Sequence, residues 1–165
     1  MEQWLKDDER LDYLLAEELR IIQSPSVFSF SLDAVLLSRF VNVPHHKGHI
    51  VDLCAGNGAI PLFLSARTKA HITAVELQDR LVDMATRSVQ YNALESQITV
   101  MQGDVRTVAN NLGIEKYDVV TCNLPYFLAH EASDKNLKEH VKIARHEIYL
   151  KLDEMIHTSG RLLKQ

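Results

Sequence analysis

The sequence predicts an α/β fold: a parallel sheet with helices on both faces, preceded by a helical extension. Three observations predict it. From Gly48 onward, short apolar runs alternate with helical segments, in the order HIVDLC, IPLFLSAR, HITAVEL, QDRLVDMATRSVQYNAL, QITVMQ, a short helical piece and YDVVTC. Strand and helix in succession require parallel strands joined by right-handed crossovers. The first strand runs through a glycine-containing turn straight into a helix, and all four strands end in a polar residue or glycine on the same side. At 165 residues, 46% of them apolar, the chain is sized for one domain with a real core.

Taken in order, Leu11, Leu14, Leu15 and Leu19 recur at helical spacing within DDERLDYLLAEEL, and carboxylates lead the first turn, where the helix dipole favours them. An N-terminal helix is therefore predicted. After the irregular IIQSPSVFSF, Ser31 is placed to cap a second helix through LDAVLLSRFV, which ends before Asn42-Val43-Pro44. Residues 1–44 read as this extension and 45–165 as the sheet domain. From about Ser133 to Gln165 the chain reads as helical, with Ile148, Leu152, Met155, Ile156, Leu162 and Leu163 forming an apolar stripe.

A formal charge of −4 is not that of a protein gripping nucleic acid by charge alone, although a local basic surface is compatible with it. Cys54 and Cys122 each sit in an apolar run, as reduced, buried thiols of a cytoplasmic protein do. The start MEQWLKDDERLD has no signal-peptide pattern and no run reaches membrane-spanning length, so a soluble, cytoplasmic chain without membrane contact is expected. His45, His46 and His49 flank a Pro/Gly loop with no Cys or carboxylate at ligand spacing, and no metal is expected.

The chemistry gathers at the strand ends. Asp52, Gly56 and Gly58 form D-x-x-x-G-x-G after the first strand, where glycines let the backbone turn sharply and approach a ligand. Glu76 ends the second strand 18 residues after Gly58, near the offset at which an acidic side chain meets ribose hydroxyls. A dinucleotide fingerprint would have its third glycine at Pro61, which donates no amide. A nucleoside ligand without pyrophosphate, such as S-adenosylmethionine, suits this loop better than NAD does. Gly103-Asp104-Val105 ends the third strand, with a carboxylate placed to accept from an adenine amine, and the fourth runs into NLPYF. Singly, Asp52, Glu76 and Asp104 read equally well as helix N-caps and Asn123 as a turn residue; together they favour a ligand site.

The stretches RIIQSPSVFSFSLDAVLL, VDLCAGNGAIPL, AVELQDRL, CNLPYF and IARHE together resemble the class I S-adenosylmethionine-dependent methyltransferases. More narrowly, they resemble the small-domain family that methylates N6 of an adenine next to the anticodon of valine tRNA. The resemblance implies a Rossmann-like sheet in which Asp52, Cys54, Gly56, Gly58, Glu76, Leu77, Asp104, Val105 and Asn123 hold S-adenosylmethionine. Glu76 would take the ribose hydroxyls and Asp104 the adenine amine. It further implies that Asn123, Leu124, Pro125 and Tyr126 are catalytic, with Tyr126 and Phe127 receiving the base. Arg145 and His146 are candidates for tRNA phosphate, a solvated helical face being the equal alternative. Phe28, Phe30 and Asp33 would form a lid, the alternative being that both phenylalanines are core.

One departure is Leu124, where the family usually has proline; leucine there is similar to the rRNA adenine dimethyltransferases. A second is length. Relative to the family pattern the last strands are missing, so an open sheet edge is expected, covered by self-association or by a partner.

The N6 amine of adenine is a poor nucleophile because its lone pair is delocalised into the ring. The Asn123 side-chain oxygen and the Leu124 carbonyl could each accept one N–H and aim the lone pair at the methyl. The glutamine side-chain amide of a protein poses the same problem and is the alternative substrate. A truncated, non-catalytic cofactor- or RNA-binding domain is the third reading.

Overall fold

A computed structural model of the chain describes residues 2–14, 18–27, 29–124 and 150–165. The N-terminal part holds β1 (Arg10–Leu14), β2 (Leu19–Gln23) and α1 (Leu32–Phe40). The repeating part follows as β3 (His49–Leu53), α2 (Ala59–Ser65), β4 (His71–Glu76), α3 (Asp79–Tyr91), β5 (Ile98–Gln102), α4 (Val105–Leu112) and β6 (Val119–Cys122). Helix α5 (Leu152–Leu162) lies near the C-terminus, and Leu163 bridges to Tyr117.

The main sheet is parallel in the order β5-β4-β3-β6, so the chain steps from β3 to β5 in one direction and then returns to the other side of β3. Ligands of such sheets sit outside the strand ends at this reversal. Strand alternation sorts the core into two layers. Ile50, Ile72 and Ile98 pack with Ile60 and Phe63 of α2 and Val89 of α3, whereas Val51, Leu53 and Val75 pack with Val105, Val108 and Ala109 of α4 and Leu162 of α5. The predicted doubly covered α/β sheet is therefore present. On the side away from β3, β6 has no neighbouring strand among the described residues.

The predicted N-terminal helix is instead an antiparallel hairpin, with Leu11 opposite Ile22 and Leu14 opposite Leu19. A spacing of three puts two leucines on one side of a helix but on opposite faces of a strand. Here both faces pack against apolar neighbours: Leu11 joins Ile22, Leu81 and Met84, while Leu14 joins Ile21, Ala34 and Phe63. Two-sided burial thus overrides the helical period. Side chains then satisfy the outer edge of β2. Asn92 Oδ1 accepts from Arg20 N at 2.9 Å, Asn92 Nδ2 donates to Arg20 O at 2.7 Å, and Ser88 Oγ accepts from Ile22 N at 3.0 Å. Arg87 of α3 ties the segment before the hairpin down through Glu9, at 2.7 and 2.9 Å.

Two further expectations change. Ser31 precedes α1 but makes no side-chain cap; its Oγ donates to Asp33 Oδ2 at 3.2 Å instead. In α5, Leu152 and Ile156 are exposed at 61% and 57%, so the apolar stripe reduces to Leu162 with the half-buried Met155 and Leu163. Thr158 takes an inner position because its hydroxyl donates to Val105 O at 3.0 Å. Ile148 lies outside the described residues. Among the described residues no helix is long and apolar enough to cross a membrane.

Candidate active site at the strand tips

Asp52 is buried near the end of β3, on the same side of the sheet as Ile50 and two positions along. Its register partner Thr121 donates from Oγ1 to Asp52 Oδ1 at 2.6 Å, and Asp52 Oδ2 has no partner. Burial raises its pKa from 3.8 to about 7; the nearby Glu76 charge adds to the rise and the Thr121 hydroxyl opposes it. An unpartnered buried acceptor is costly, and a cation beside it would favour the ionised form.

The loop after β3 takes up left-handed backbone at three positions, with φ of 59° at Cys54, 58° at Gly56 and 90° at Gly58. A Cβ on Gly58 would stand 3.2 Å from Ala85 Cβ, so glycine allows α2 to pack against α3. A Cβ on Gly56 would meet nothing within 4 Å, which makes this the loop's open side. Between them Asn57 is buried and donates from Nδ2 to Ile22 O at 3.0 Å, fastening the loop to the hairpin.

Glu76, at the tip of β4, is buried and straps the same loop. Its Oε2 accepts from Gly56 N at 2.8 Å and its Oε1 from Gln78 N at 2.9 Å. Burial pushes its pKa up, while the Gln78 and Gly56 amides oppose the rise. Each oxygen keeps acceptor capacity for a ligand hydroxyl. Beside it, Leu77 is half-buried and its carbonyl accepts from Gln102 Nε2 at 3.1 Å.

Asp104 follows β5 and caps α4, accepting from Arg106 N at 2.9 Å, while Arg106 Nε lies 2.9 and 3.0 Å from its two oxygens. The Arg106 hydrogen bond holds its carboxyl below the usual range. Of the three acidic residues, Asp104 alone also fulfils the helix-cap alternative; Asp52 lies within a strand and Glu76 binds loop amides. Val105 is buried in the layer of α4 and α5.

Cys122 ends β6 opposite Leu53, and Asn123 and Leu124 follow it half-buried. Both cysteines are free and half-buried rather than fully buried. Their thiols are in contact: the hydrogen bond Cys122 makes to Cys54, with burial behind it, pushes the Cys122 thiol well up.

The structure thus gathers Asp52, Cys54, Gly56, Gly58, Glu76, Leu77, Asp104, Val105, Asn123 and Leu124 at one end of the sheet. Phe30 sits edge-on to Phe63 at 6.0 Å between ring centroids, which is its core alternative, and Asp33 is exposed on α1. Phe28, Pro125, Tyr126, Phe127, Arg145 and His146 lie outside the described residues. Sequence reading missed Thr121, whose only signal is a hydroxyl in the run VVTC. It also missed Asn57, which looks like filler between two glycines.

Comparison with known proteins adds a lineage to this geometry. A family model described as the methyltransferase small domain matches residues 18–156. A tRNA1(Val) (adenine(37)-N6)-methyltransferase of Glaesserella parasuis serovar 5 is 29% identical over 134 residues, covering 79% of this chain and 55% of that protein. One of the same name from Shewanella sp. (strain MR-4) is 31% identical over 121 residues, covering 70% and 48%. The chain spans about half the length of the curated relatives it matches. Among solved structures, Pyrococcus horikoshii TYW2 in complex with MeSAdo superposes with a TM-score of 0.66 at 15% identity, over 96% of this chain and 50% of that one. A geranyl diphosphate C-methyltransferase of Streptomyces coelicolor A3(2) gives 0.58 at 13% identity, over 81% and 40%. These structural likenesses establish the shared fold.

Proposed function

The chain belongs to the methyltransferase small-domain family, and from that premise we propose that it binds S-adenosylmethionine and transfers its methyl group to N6 of an adenine in tRNA. The observation that carries the reading is the gathering of Asp52, the Cys54–Gly58 loop, Glu76, Asp104 and Asn123 at the carboxyl ends of four adjacent parallel strands. The residues fit the cofactor. Asp52 Oδ2 is a buried acceptor without a donor, suited to the amino-acid ammonium. Glu76 is fixed by two backbone amides with capacity left for the ribose hydroxyls. Gly56 leaves its side of the loop open for close approach. Asp104 takes the adenine amine while remaining paired to Arg106.

S-adenosylmethionine, when bound, supplies an electrophilic methyl on a sulfonium. The chain's own work is to hold and orient. The Asn123 side-chain oxygen and the Leu124 carbonyl each accept an N–H of the target amine, so its lone pair points along the transfer line. Because the second acceptor is backbone, leucine in place of the usual proline retains it. Tyr126 and Phe127 stack on the extruded base, a contact worth ~1–3 kcal/mol per base, and Arg145 and His146 take phosphate. The names of the relatives support adenine in tRNA as the substrate. The formal charge of −4 favours the protein glutamine amide as the second reading.

Transfer of labelled methyl to tRNA lacking its modifications, followed by digestion to nucleosides, tests the reading. Label in N6-methyladenosine is expected. Label in a protein glutamine, or cofactor binding without transfer to any acceptor, overturns the RNA assignment.

A further inference from the structure

The cations of the molecule divide into two groups. In the hairpin segment, α3 and α4, every cation among the described residues is committed to a neighbour: Lys6 pairs with Asp83, Arg10 with Asp12, Arg80 with Asp8, Arg87 with Glu9 and Arg106 with Asp104, while Arg20 lies over the Tyr13 ring. At the opposite end of the sheet, Lys47, Lys69 and Lys116 are exposed and have no ion pair among the described residues. They occupy the loops that lead into β3, β4 and β6, which are adjacent in the sheet.

Hydrogen bonds join these loops into one surface. Lys69 N donates to His45 O at 2.9 Å and His71 N to Gly48 O at 3.0 Å, linking the loop before β4 to the loop before β3. His49 N donates to Asp118 Oδ2 at 2.7 Å, and Asp118 Oδ1 accepts from Lys164 Nζ at 2.7 Å, which carries the surface on to β6. His45, His46 and His49 are exposed between the lysines, the His49 ring standing 6.4 Å from that of His71. Asp118 is neutralised within this strip, and Glu95 and Glu115 are the other carboxylates of the loops at this end. Lysines near helix C-termini often serve to offset the helix dipole. That role does not account for these, because α2, α3 and α4 carry no basic residue in their last turns and α1, which precedes Lys47, already has Arg39 there.

We propose that this basal strip is a docking surface for the phosphate backbone of the substrate RNA, at the end of the sheet opposite the methyl-transfer site. The inference rests on the tRNA reading above. Three unpaired ammonium groups spread over three adjacent strands form a local cationic surface on a chain whose formal charge is −4. With neighbouring strands ~4.8 Å apart, the strip is long enough for successive phosphates rather than for one small anion. Exposed imidazoles among the lysines favour RNA over an acidic protein, since their rings also stack on unpaired bases. The five residues of β3 set ~17 Å between strip and strand tips, so the strip holds a part of the RNA away from the base being modified. It adds affinity through counterion release and reads no sequence.

The test measures tRNA binding by the full chain over a range of salt concentrations, with Lys47→Gln, Lys69→Gln and Lys116→Gln combined in one variant. Each lost phosphate contact should lower the slope of log affinity against log salt by about 0.7–0.9, so the variant should lose about 2–3 in slope and bind about tenfold or more weakly at low salt. The same three positions changed to arginine should keep both slope and affinity. All three side chains are exposed, so melting temperature and S-adenosylhomocysteine affinity should be unchanged in either variant. Lysine acetylation read by mass spectrometry locates the contact: bound tRNA should protect Lys47, Lys69 and Lys116 and leave Lys6 at its rate without RNA. An unchanged salt slope in the glutamine variant, or protection at Lys6 in place of the strip, overturns the proposal. If the unaltered chain binds no tRNA at any salt concentration, the RNA reading fails and takes this inference with it, a result distinct from loss of the strip alone.

Discussion

Asp52→Asn is expected to stabilise the ligand-free protein in a pH-dependent way while removing its response to the cofactor. Burial lifts the Asp52 pKa from 3.8 to about 7, so the folded state holds a proton that the unfolded chain has already lost. A raised folded pKa gives a contribution fully present below pH 3.8 that is lost as pH climbs through the folded pKa. At ~1.4 kcal/mol per pK unit, the penalty for burying Asp52 is about 2 kcal/mol near pH 5 and levels off at about 4 kcal/mol near pH 8. Asparagine keeps an oxygen for the Thr121 hydroxyl and carries no charge. Its buried amide costs about 1–3 kcal/mol, but equally at both pH values. The advantage of the variant should therefore grow by about 2 kcal/mol between them, or about 4–8 °C in melting temperature for a chain of this size. Thermal melts of both proteins near pH 5 and pH 8 read this difference of differences, in which groups common to the two proteins cancel. S-adenosylhomocysteine should raise the melting temperature of the unaltered protein far more than that of the variant. A gap between the two proteins that stays constant with pH would refute the assignment of a protonated, buried Asp52.

The remaining expectations concern the loop and the proposed acceptor. Gly58→Ala meets a φ of 90° and a Cβ contact of 3.2 Å, and should lower stability by about 1–3 kcal/mol in urea denaturation. Gly56→Ala meets open space, so its larger effect should fall on cofactor affinity by calorimetry. Asn57→Ala leaves the Ile22 carbonyl unpaired; a loss of about 1–3 kcal/mol should appear, with faster hydrogen exchange in β2 before any change in the main sheet. Asn123→Ala should reduce methyl transfer by about a hundredfold or more while S-adenosylhomocysteine affinity stays within about twofold. Full activity in that variant would remove Asn123 from the proposed acceptor pair.

Strands β3 to β6 and helices α2 to α4 were legible because each buries against the sheet with the periodicity its own segment carries. The tip residues were legible because a parallel sheet puts all its carboxyl ends on one side. The hairpin was not, since Leu11 and Leu14 satisfy a helical spacing and a two-faced strand alike; Ile21 and Ile22, buried on opposite faces of β2, decide between them. Leu152 and Ile156 were misplaced for a related reason. A helix can show two apolar sides, and only its seat against α4 selects Leu162 and Thr158.

The sequence by itself determined the doubly covered parallel sheet, the glycine loop and the identities of Asp52, Glu76, Asp104 and Asn123, because these follow from local periodicity and from where strands end. Tertiary structure alone decided the hairpin, the Asp52–Thr121 pair, the hold of Asn57 on Ile22 and the bond of Gln23 to Asp12. The side-chain bonds among them, from Gln23 Nε2 to Asp12, Asn57 to Ile22 and Thr121 to Asp52, join residues 11 to 69 apart along the chain. No local pattern encodes such a pairing; it exists only once packing has fixed which buried polar groups face one another.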